Sequence, residues 1–435
     1  MIEVISIFAQ FFIFLIFFSF PFTPKTLNKT LNFNNVLDLI DAHAINIIFF
    51  LYFCLLLSFF NIDLKFLFNI YFILSFGFIL FNYREFKIRI KTSKLFIFFL
   101  FFLVVLSLFF NIAQNLRLES DGHMWLEKAL VFFNGDKIQS IRNVPSLPEY
   151  PHLGSFLWAF FWKNSIMELE YFGRYFQPYF YILSVFLFAK CINFKNINLK
   201  IFFILFFILI TYDAFLFAGY QEYLIFTSLL VAARYIYLID FEKTINSKFI
   251  FLILSILYIN CWFKDEGTVY FIIFSTLLVF VSNNSIQSKV LFYISIIILL
   301  SLQFFLQKYV IGLHGFPHNN LLSLVSLMSD PLLMITKFLK ILIGFIISFI
   351  KYPLWIIILA CGLLNIFIFK KFQKINKYFT WCLILNFGFI FLIFLSFENY
   401  EWYIKVTLDR LLFQTSGFYS ILVILFLKNL KFLKI

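Results

Sequence analysis

The sequence predicts an all-α polytopic membrane protein with about 13 transmembrane helices. Of its 435 residues, 63% are hydrophobic and 13% are charged, and the mean hydropathy is +0.95. Soluble domains carry about 25% charged residues, so this chain has too little polar surface to cover its apolar side chains in water. Its apolar runs are continuous and about 16–20 residues long, which is typical of spanning helices and not of the alternating strands of a barrel.

The predicted spans form a single integral membrane domain over residues 1–435, because no polar segment is long enough for a separate soluble domain. They are expected at roughly 4–20, 45–60, 66–83, 95–112, 171–189, 200–217, 222–239, 248–262, 267–282, 289–307, 354–369, 378–397 and 411–427. The net charge of +13 does not indicate nucleic-acid binding, since the basic residues are scattered over short loops and form no basic face.

Basic residues concentrate in alternate loops and indicate how the chain is oriented. By the positive-inside rule the cytoplasmic loops are 84–94, 190–200, 243–248, 370–377 and 428–434. The other loops then face outward: 113–170, which is the largest, and 213–221, 263–266, 308–353 and 398–410. The apolar stretch 332–350 would invert the later loops if it crossed, so interfacial helices are expected over 318–350. This pattern indicates a multi-pass membrane protein with its polar motifs on the outer side.

The first polar motif is an acid-x-acid pair, Glu119 and Asp121, followed by His123 and Trp125. Two carboxylates beside the bilayer boundary can supply a general base whose pKa is tuned by its partner, or they can hold a divalent cation. The alternative is that they are ordinary loop acids. Trp125 is typical of an interfacial anchor.

The next motif, Tyr150-Pro151-His152-Leu153-Gly154, precedes an aromatic run over 156–162. Proline at the start of a helix is favoured because its φ is fixed and it lacks the N–H donor. His152 is a candidate for substrate contact, and a structural hydrogen-bonding role is the equal alternative.

Charged residues mark two further outward turns. Glu222 begins a predicted helix, where the helix dipole alone can explain an acid. Lys264, Asp265 and Glu266 occupy a tight turn between two apolar helices, where charges at membrane depth are expensive and usually functional. Lys264 is therefore a candidate ligand for a lipid phosphate, and a self-compensating ion pair within the turn is the alternative.

Arg410 lies at the outward start of the last span, next to Asp409. Arginine is the natural bidentate partner of phosphate, so a phosphate contact is expected; an ion pair between Asp409 and Arg410 is the alternative. His314 and His318 flank Gly315 and Pro317, which disfavour a regular helix, so a loop without metal is expected there.

Taken in order, these motifs resemble those of membrane glycosyltransferases of the GT-C superfamily, of the protein mannosyltransferase and aminoarabinose transferase type. The resemblance rests on the acid-x-acid pair, the segment 150–162, the Lys-Asp-Glu-Gly turn at 264–267 and the stretch 402–410. In many members the acidic motif follows the first helix, whereas here three further spans precede it.

The resemblance implies transfer of a sugar from a polyprenyl-phosphate (or pyrophosphate) donor to a lipid or glycan acceptor, on the outer face of a bacterial inner (cytoplasmic) membrane. Asp121 becomes the candidate base and Glu119 its partner, with a divalent metal ion at this pair left open. The residues expected to bind substrate are His123, Tyr150, His152, Glu222, Lys264, Glu266 and Arg410. The expected partners are this donor, the acceptor and membrane lipids, without nucleic acid.

Two other functions remain as alternatives. An O-antigen or surface-polysaccharide polymerase or ligase would share the donor, and usually presents a large outer loop late in the chain. A flippase or transporter of lipid-linked sugars would place ionisable residues within its spans, for which Arg174 and Arg234 are the candidates.

Overall fold

The computed structural model describes residues 2–34, 36–118, 120–192, 196–212, 214–313, 330–368 and 373–430. It is 80% helical, and the described residues form no β-strand. The predicted all-α class is therefore confirmed.

The helices of the described residues are α1 (Ile2–Phe17), α2 (Pro24–Leu31), α3 (Leu39–Ser58), α4 (Leu64–Phe81), α5 (Tyr83–Thr92), α6 (Lys94–Ser107), α7 (Phe110–Asn115), α8 (Ser120–Phe133), α9 (Leu153–Lys163), α10 (Glu170–Arg174), α11 (Phe176–Ala189), α12 (Ile197–Thr211), α13 (Glu222–Tyr237), α14 (Ser247–Tyr258), α15 (Asp265–Val281), α16 (Ile286–Phe305), α17 (Pro331–Lys351), α18 (Pro353–Ile368), α19 (Lys374–Ser396), α20 (Tyr400–Tyr419) and α21 (Ile421–Asn429). Short 3₁₀ turns occupy Ile138–Asn143, Ala214–Phe217 and Ile259–Trp262, and a π-helical turn, Leu306–Ile311, extends α16.

Among the described residues, six helices are long and apolar enough to cross a membrane: Leu39–Ser58, Leu64–Phe81, Ile286–Ile311, Pro331–Lys351, Lys374–Ser396 and Tyr400–Asn429. The pair α5 and α6, bent by 89°, makes a seventh if it counts as one span. These helices indicate a multi-pass membrane protein, but the predicted count of about 13 is not confirmed.

The difference in count arises because several predicted spans form short helices. The run at 4–20 forms the 16-residue α1, and the run at 200–217 forms the 15-residue α12. At 1.5 Å per residue such helices cover about 24 Å, less than the roughly 30 Å of a hydrocarbon core. The stretch expected to lie on the surface, 318–350, is described only from residue 330, where α17 forms a single helix of spanning length. Its interfacial placement stays a prediction.

Helix α13 lies at the centre of the fold and is buried from Glu222 to Ile236. It packs against α11, α14 and α20. Two charged residues mark its ends: Glu222 begins the helix and Arg234 lies in its last turn. Their separation of 12 residues corresponds to about 18 Å along the helix axis. The helix therefore connects two distant polar regions through an apolar interior.

Basic residues from separate predicted cytoplasmic loops gather at the Arg234 end of α13. Lys190 forms an ion pair with Asp41, which also pairs with Arg234. Lys428, near the C-terminus, lies over the ring of Tyr237 at 5.3 Å. Loops that the positive-inside rule assigns to one side of the membrane thus meet at one end of the fold.

Candidate functional site

Five charged side chains meet at the other end of α13, and we name them the Arg410 cluster: Asp121, Glu222, Lys264, Glu266 and Arg410. The Arg410 Nε donates to Glu222 Oε1 at 2.7 Å, and a terminal guanidinium nitrogen also bonds Glu222 and Asp121. Lys264 Nζ lies 2.9 Å from Glu222 Oε1 and 3.6 Å from Glu266 Oε1. Asp121 and Arg410 are 289 positions apart in the chain, so only the tertiary fold brings them together.

The carboxylates of the cluster come from the starts of three helices. Asp121 lies in the first turn of α8, Glu222 is the first residue of α13, and Glu266 lies in the first turn of α15. The partial positive charge of a helix N-terminus favours acidic side chains at these positions. Arg410 comes instead from the interior of α20, which packs along α13. Two of the three helix starts therefore meet the Arg410 guanidinium, and the third meets the Lys264 ammonium.

Two glycines of the sequence motifs allow the close packing behind the cluster. A Cβ at Gly154 would lie 1.4 Å from Oε1 of Gln221, the residue that precedes Glu222. A Cβ at Gly267 would lie 2.0 Å from the backbone oxygen of Asn260. Any larger residue at either position would displace these neighbours, so glycine allows α9 to pack against Gln221 and α15 to pack against Asn260.

Burial divides the cluster into an inner and an outer part. The side chains of Glu222 and Lys264 are 4% and 7% exposed, whereas those of Asp121 and Arg410 are 29% and 25% exposed. Burial opposes the charged form of Lys264, but the carboxylates of Glu222 and Glu266 outweigh burial and raise its pKa. The Asp121–Arg410 pair is consequently the edge that a ligand can reach.

The cluster also carries unused hydrogen-bonding capacity. Its three carboxylates and two cations leave one excess negative charge. Oε2 of Glu222 and Oε2 of Glu266 are buried without a hydrogen-bond partner among the described residues. Buried polar atoms are normally paired, and unpaired ones call for a ligand, a water molecule or a functional reason.

Tyr150 joins the cluster to a second lysine, Lys128. The Lys128 Nζ donates to the Tyr150 backbone oxygen at 2.9 Å and lies 5.8 Å from the centre of its ring. The Lys264 Nζ lies 5.9 Å from the same ring, so two cations face Tyr150. Lys128 is fully buried, and burial lowers its pKa to about 7. The predicted site residue Tyr150 is thus placed beside the cluster.

Lys128 is not among the residues singled out in the sequence, and Asp265 is named there only as one of the charges of the 264–266 turn, without a role. Asp121, Trp125 and Lys128 are spaced i, i+4 and i+7, which places them on one face of α8. This helical spacing is the sequence signal that could have identified Lys128 as a neighbour of Asp121. Burial, together with the neighbouring Glu266, raises the pKa of Asp265 to about 7, and its carboxylate interacts electrostatically with Lys128.

The two histidine candidates lie apart from the ion pairs. His152 is buried, and its Nε2 lies 2.8 Å from the Ser58 hydroxyl. Its ring packs against Phe59 and Trp262, and burial lowers its pKa to about 3. These contacts favour the structural hydrogen-bonding role over substrate contact. His123 is exposed on α8 and forms no ion pair with the cluster.

Asp409 and Arg410 are adjacent in the chain but do not pair with each other. The Asp409 carboxylate accepts from Ser348 at 2.6 Å and pairs with Lys351, whereas Arg410 contacts Asp121 and Glu222. The alternative of an Asp409–Arg410 ion pair is therefore wrong. Adjacent residues on a helix point about 100° apart, so they face different neighbours.

Three residues singled out in the sequence fall outside the described residues: Glu119, His314 and His318. The metal site at Glu119 and Asp121 therefore stays a prediction. Within the described part of the chain, no group of three or more His, Cys, Asp or Glu residues has an arrangement that could hold a metal ion.

Searches of protein-family models, curated proteins and solved structures found no match to this chain. The resemblance to GT-C glycosyltransferases therefore rests on the sequence motifs alone.

Proposed function

We propose that this chain is a membrane glycosyltransferase of the GT-C type. It transfers a sugar from a polyprenyl-phosphate donor to a lipid or glycan acceptor on the outer face of the cytoplasmic membrane. The observation that supports this proposal best is the Arg410 cluster. It joins a partly exposed carboxylate, Asp121, to two cations, Lys264 and Arg410, at one end of a helical bundle.

The two cations fit the donor phosphate. A polyprenyl donor keeps its tail in the lipid and its phosphate at the boundary. Arg410 offers a planar fork of N–H donors that matches phosphate oxygens, and Lys264 adds a second positive charge behind it. Because the phosphate leaves with the electron pair of the broken bond, cations held here stabilise the charge that develops on the leaving group.

Asp121 fits the role of general base. The acceptor hydroxyl oxygen attacks the anomeric carbon, its proton passes to the Asp121 carboxylate, and the bond from that carbon to the phosphate oxygen breaks. The products are the glycosylated acceptor and the polyprenyl phosphate. Attack from the side opposite the phosphate inverts the anomeric centre. Glu222 touches both cations and, as a buried side chain, acts as a positioning residue.

The test is transfer by the purified protein in liposomes that contain a polyprenyl-phosphate sugar. Asp121→Asn should reduce the rate about 10²-fold or more, because it removes the base while keeping the shape of the side chain. The matched control is Asp409→Asn, which removes a carboxylate one residue from Arg410 that pairs with Lys351 instead. Near-normal transfer by Asp121→Asn at normal protein level would exclude this site.

A flippase for lipid-linked sugars is the second candidate, and a second ion cluster favours it. Asp41, Lys190 and Arg234 pair at the opposite end of α13 from Glu222, so one helix connects two charged regions. The two functions differ in their product. A transferase forms a new glycosidic bond, whereas a flippase only moves an unchanged lipid across the bilayer. Mass spectrometry of the recovered lipid, with and without acceptor, separates them.

A further inference from the structure

Arg410 is held by two carboxylates that differ in how firmly they are fixed. Glu222 is 4% exposed and bonds two cations through one oxygen, Oε1. Asp121 is 29% exposed, and Arg410 is the only cation among the described residues with which it forms an ion pair. Removing a partner from a buried ion pair is costly, whereas a partly exposed pair contributes little. An anion that reaches Arg410 will therefore replace Asp121 and leave Glu222 in place.

We propose that Asp121 is an exchangeable counter-ion, which the phosphate of a polyprenyl phosphodiester replaces on Arg410. The nature of the ligand rests on the proposed function. The exchange has a consequence for catalysis: while the site is empty, Arg410 occupies the carboxylate that is to act as base. Donor binding releases that carboxylate next to the bound phosphate, so the base becomes available only when a donor is present.

The charge of the cluster agrees with this exchange. With Asp121, Glu222 and Glu266 against Lys264 and Arg410, the cluster has one excess negative charge. A phosphodiester carries one negative charge, as Asp121 does, so the exchange leaves the charge around Arg410 unchanged. A pyrophosphate-linked lipid would bring at least one more negative charge towards two buried carboxylate oxygens that already lack a donor. The charge of these five side chains therefore matches a monophosphate-linked donor better than a pyrophosphate-linked one.

The experiment measures binding of farnesyl methyl phosphate to the purified full chain in detergent by isothermal titration calorimetry. This probe has the charge and lipid character of the donor but no sugar, so transfer cannot occur. Asp121→Asn should bind the probe about tenfold more tightly than the wild type, because the competing carboxylate is neutralised. Arg410→Ala should bind it at least tenfold more weakly. Asp409→Asn, whose carboxylate pairs with Lys351, should bind it as the wild type does.

Each outcome decides a separate point. Equal or weaker binding by Asp121→Asn would overturn the exchange, even if the protein proves to be a transferase. If Asp121→Asn binds the probe more tightly but the wild type shows no transfer activity, the exchange is supported and the proposed glycosyltransferase function is wrong. Dimethyl phosphate has the same charge but no lipid tail. Equal affinity for dimethyl phosphate and farnesyl methyl phosphate would overturn the inference that the ligand is a lipid. If Asp121→Asn does not fold, Asp121→Ser gives the same test, because serine also removes the charge.

Discussion

The two ion clusters at the ends of α13 contain similar residues and differ in how completely they are paired. The Asp41 cluster consists of Asp38, Asp41, Lys190 and Arg234, and its two acids balance its two bases. The Arg410 cluster has three acids against two bases. Both lie within the bundle, so the surroundings alone do not explain the difference.

The unpaired atoms show what the difference means. In the Asp41 cluster, the buried atoms without a hydrogen bond are Asp41 Oδ1 and Arg234 Nε, which form an ion pair with each other at 3.6 Å. In the Arg410 cluster, the unpaired atoms are carboxylate oxygens of Glu222 and Glu266, which cannot satisfy each other. A closed, balanced set of charges stabilises a fold. An unbalanced set with a partly exposed edge is suited to binding a ligand.

The largest expected effect is the loss of folding stability when the Asp41 cluster is broken. Asp41→Asn would leave Arg234 buried beside a neutral side chain and Lys190 with only its ion pair to Asp38. Breaking a buried ion pair in this way should lower the free energy of unfolding by about 3–5 kcal/mol. Thermal unfolding in detergent measures this loss. A wild-type melting temperature for Asp41→Asn would show that the Asp41 cluster is not structural.

An intermediate effect is expected on donor affinity when the Arg410 cluster is changed. Arg410→Ala should raise the apparent Michaelis constant for the donor about tenfold or more, since a charge-assisted bond to phosphate contributes about 1.5–3 kcal/mol. Lys264→Ala should have a smaller effect, because Lys264 lies deeper. Arg410→Lys should restore only part of the affinity, because lysine lacks the bidentate fork. An unchanged constant in Arg410→Ala at normal expression would remove the phosphate role.

The smallest effect concerns Lys128, beside the Arg410 cluster, and its contribution to the pH dependence of stability. Burial lowers the pKa of Lys128 to about 7, while the unfolded chain keeps its usual value of 10.5. Between these values the unfolded state binds more protons, so stability rises with pH, by at most about 1.4 kcal/mol per pH unit from this group. Below pH 7 the two states bind equally and the Lys128 contribution is constant.

Replacing Lys128 with Met isolates this contribution. Unfolding of the wild type and Lys128→Met between pH 7 and 8 should show the rise only in the wild type. Equal pH slopes would mean that Lys128 titrates normally. Asp265 has the opposite sign: its pKa is raised from 3.8 to about 7, so its contribution to stability falls as pH rises through that range.

The residues of the Arg410 cluster could be selected from the sequence, but the sequence could not predict which of them form ion pairs with each other. Asp121, Glu222, Lys264 and Arg410 each stand out as charges beside apolar runs, and the alternation of basic loops assigns them to one side. Which carboxylate meets Arg410 depends on how α13 packs along α20, at separations of 188 and 289 positions. Sequence adjacency instead suggested Asp409, which faces Lys351.

The fold was predictable in class and less so in number of spans. Hydropathy identifies the apolar runs, but it does not fix how long the helix in each run is. Helix α13 illustrates this, because its sequence predicts a span over 222–239 while the structure forms a helix of 16 residues, Glu222–Tyr237. Lys128 was missed for a related reason: residues 113–170 were read as a loop, whereas the structure forms α8 there.

The most direct test of the account is transfer activity per folded molecule in Asp121→Asn and Asp41→Asn, measured side by side in donor-containing liposomes. Asp121→Asn should be folded and about 10²-fold or more impaired in transfer. Asp41→Asn should yield little folded protein, and the folded fraction should transfer sugar at close to the wild-type rate. Normal transfer by Asp121→Asn, with loss of transfer by well-folded Asp41→Asn, would contradict the assignment of the two clusters.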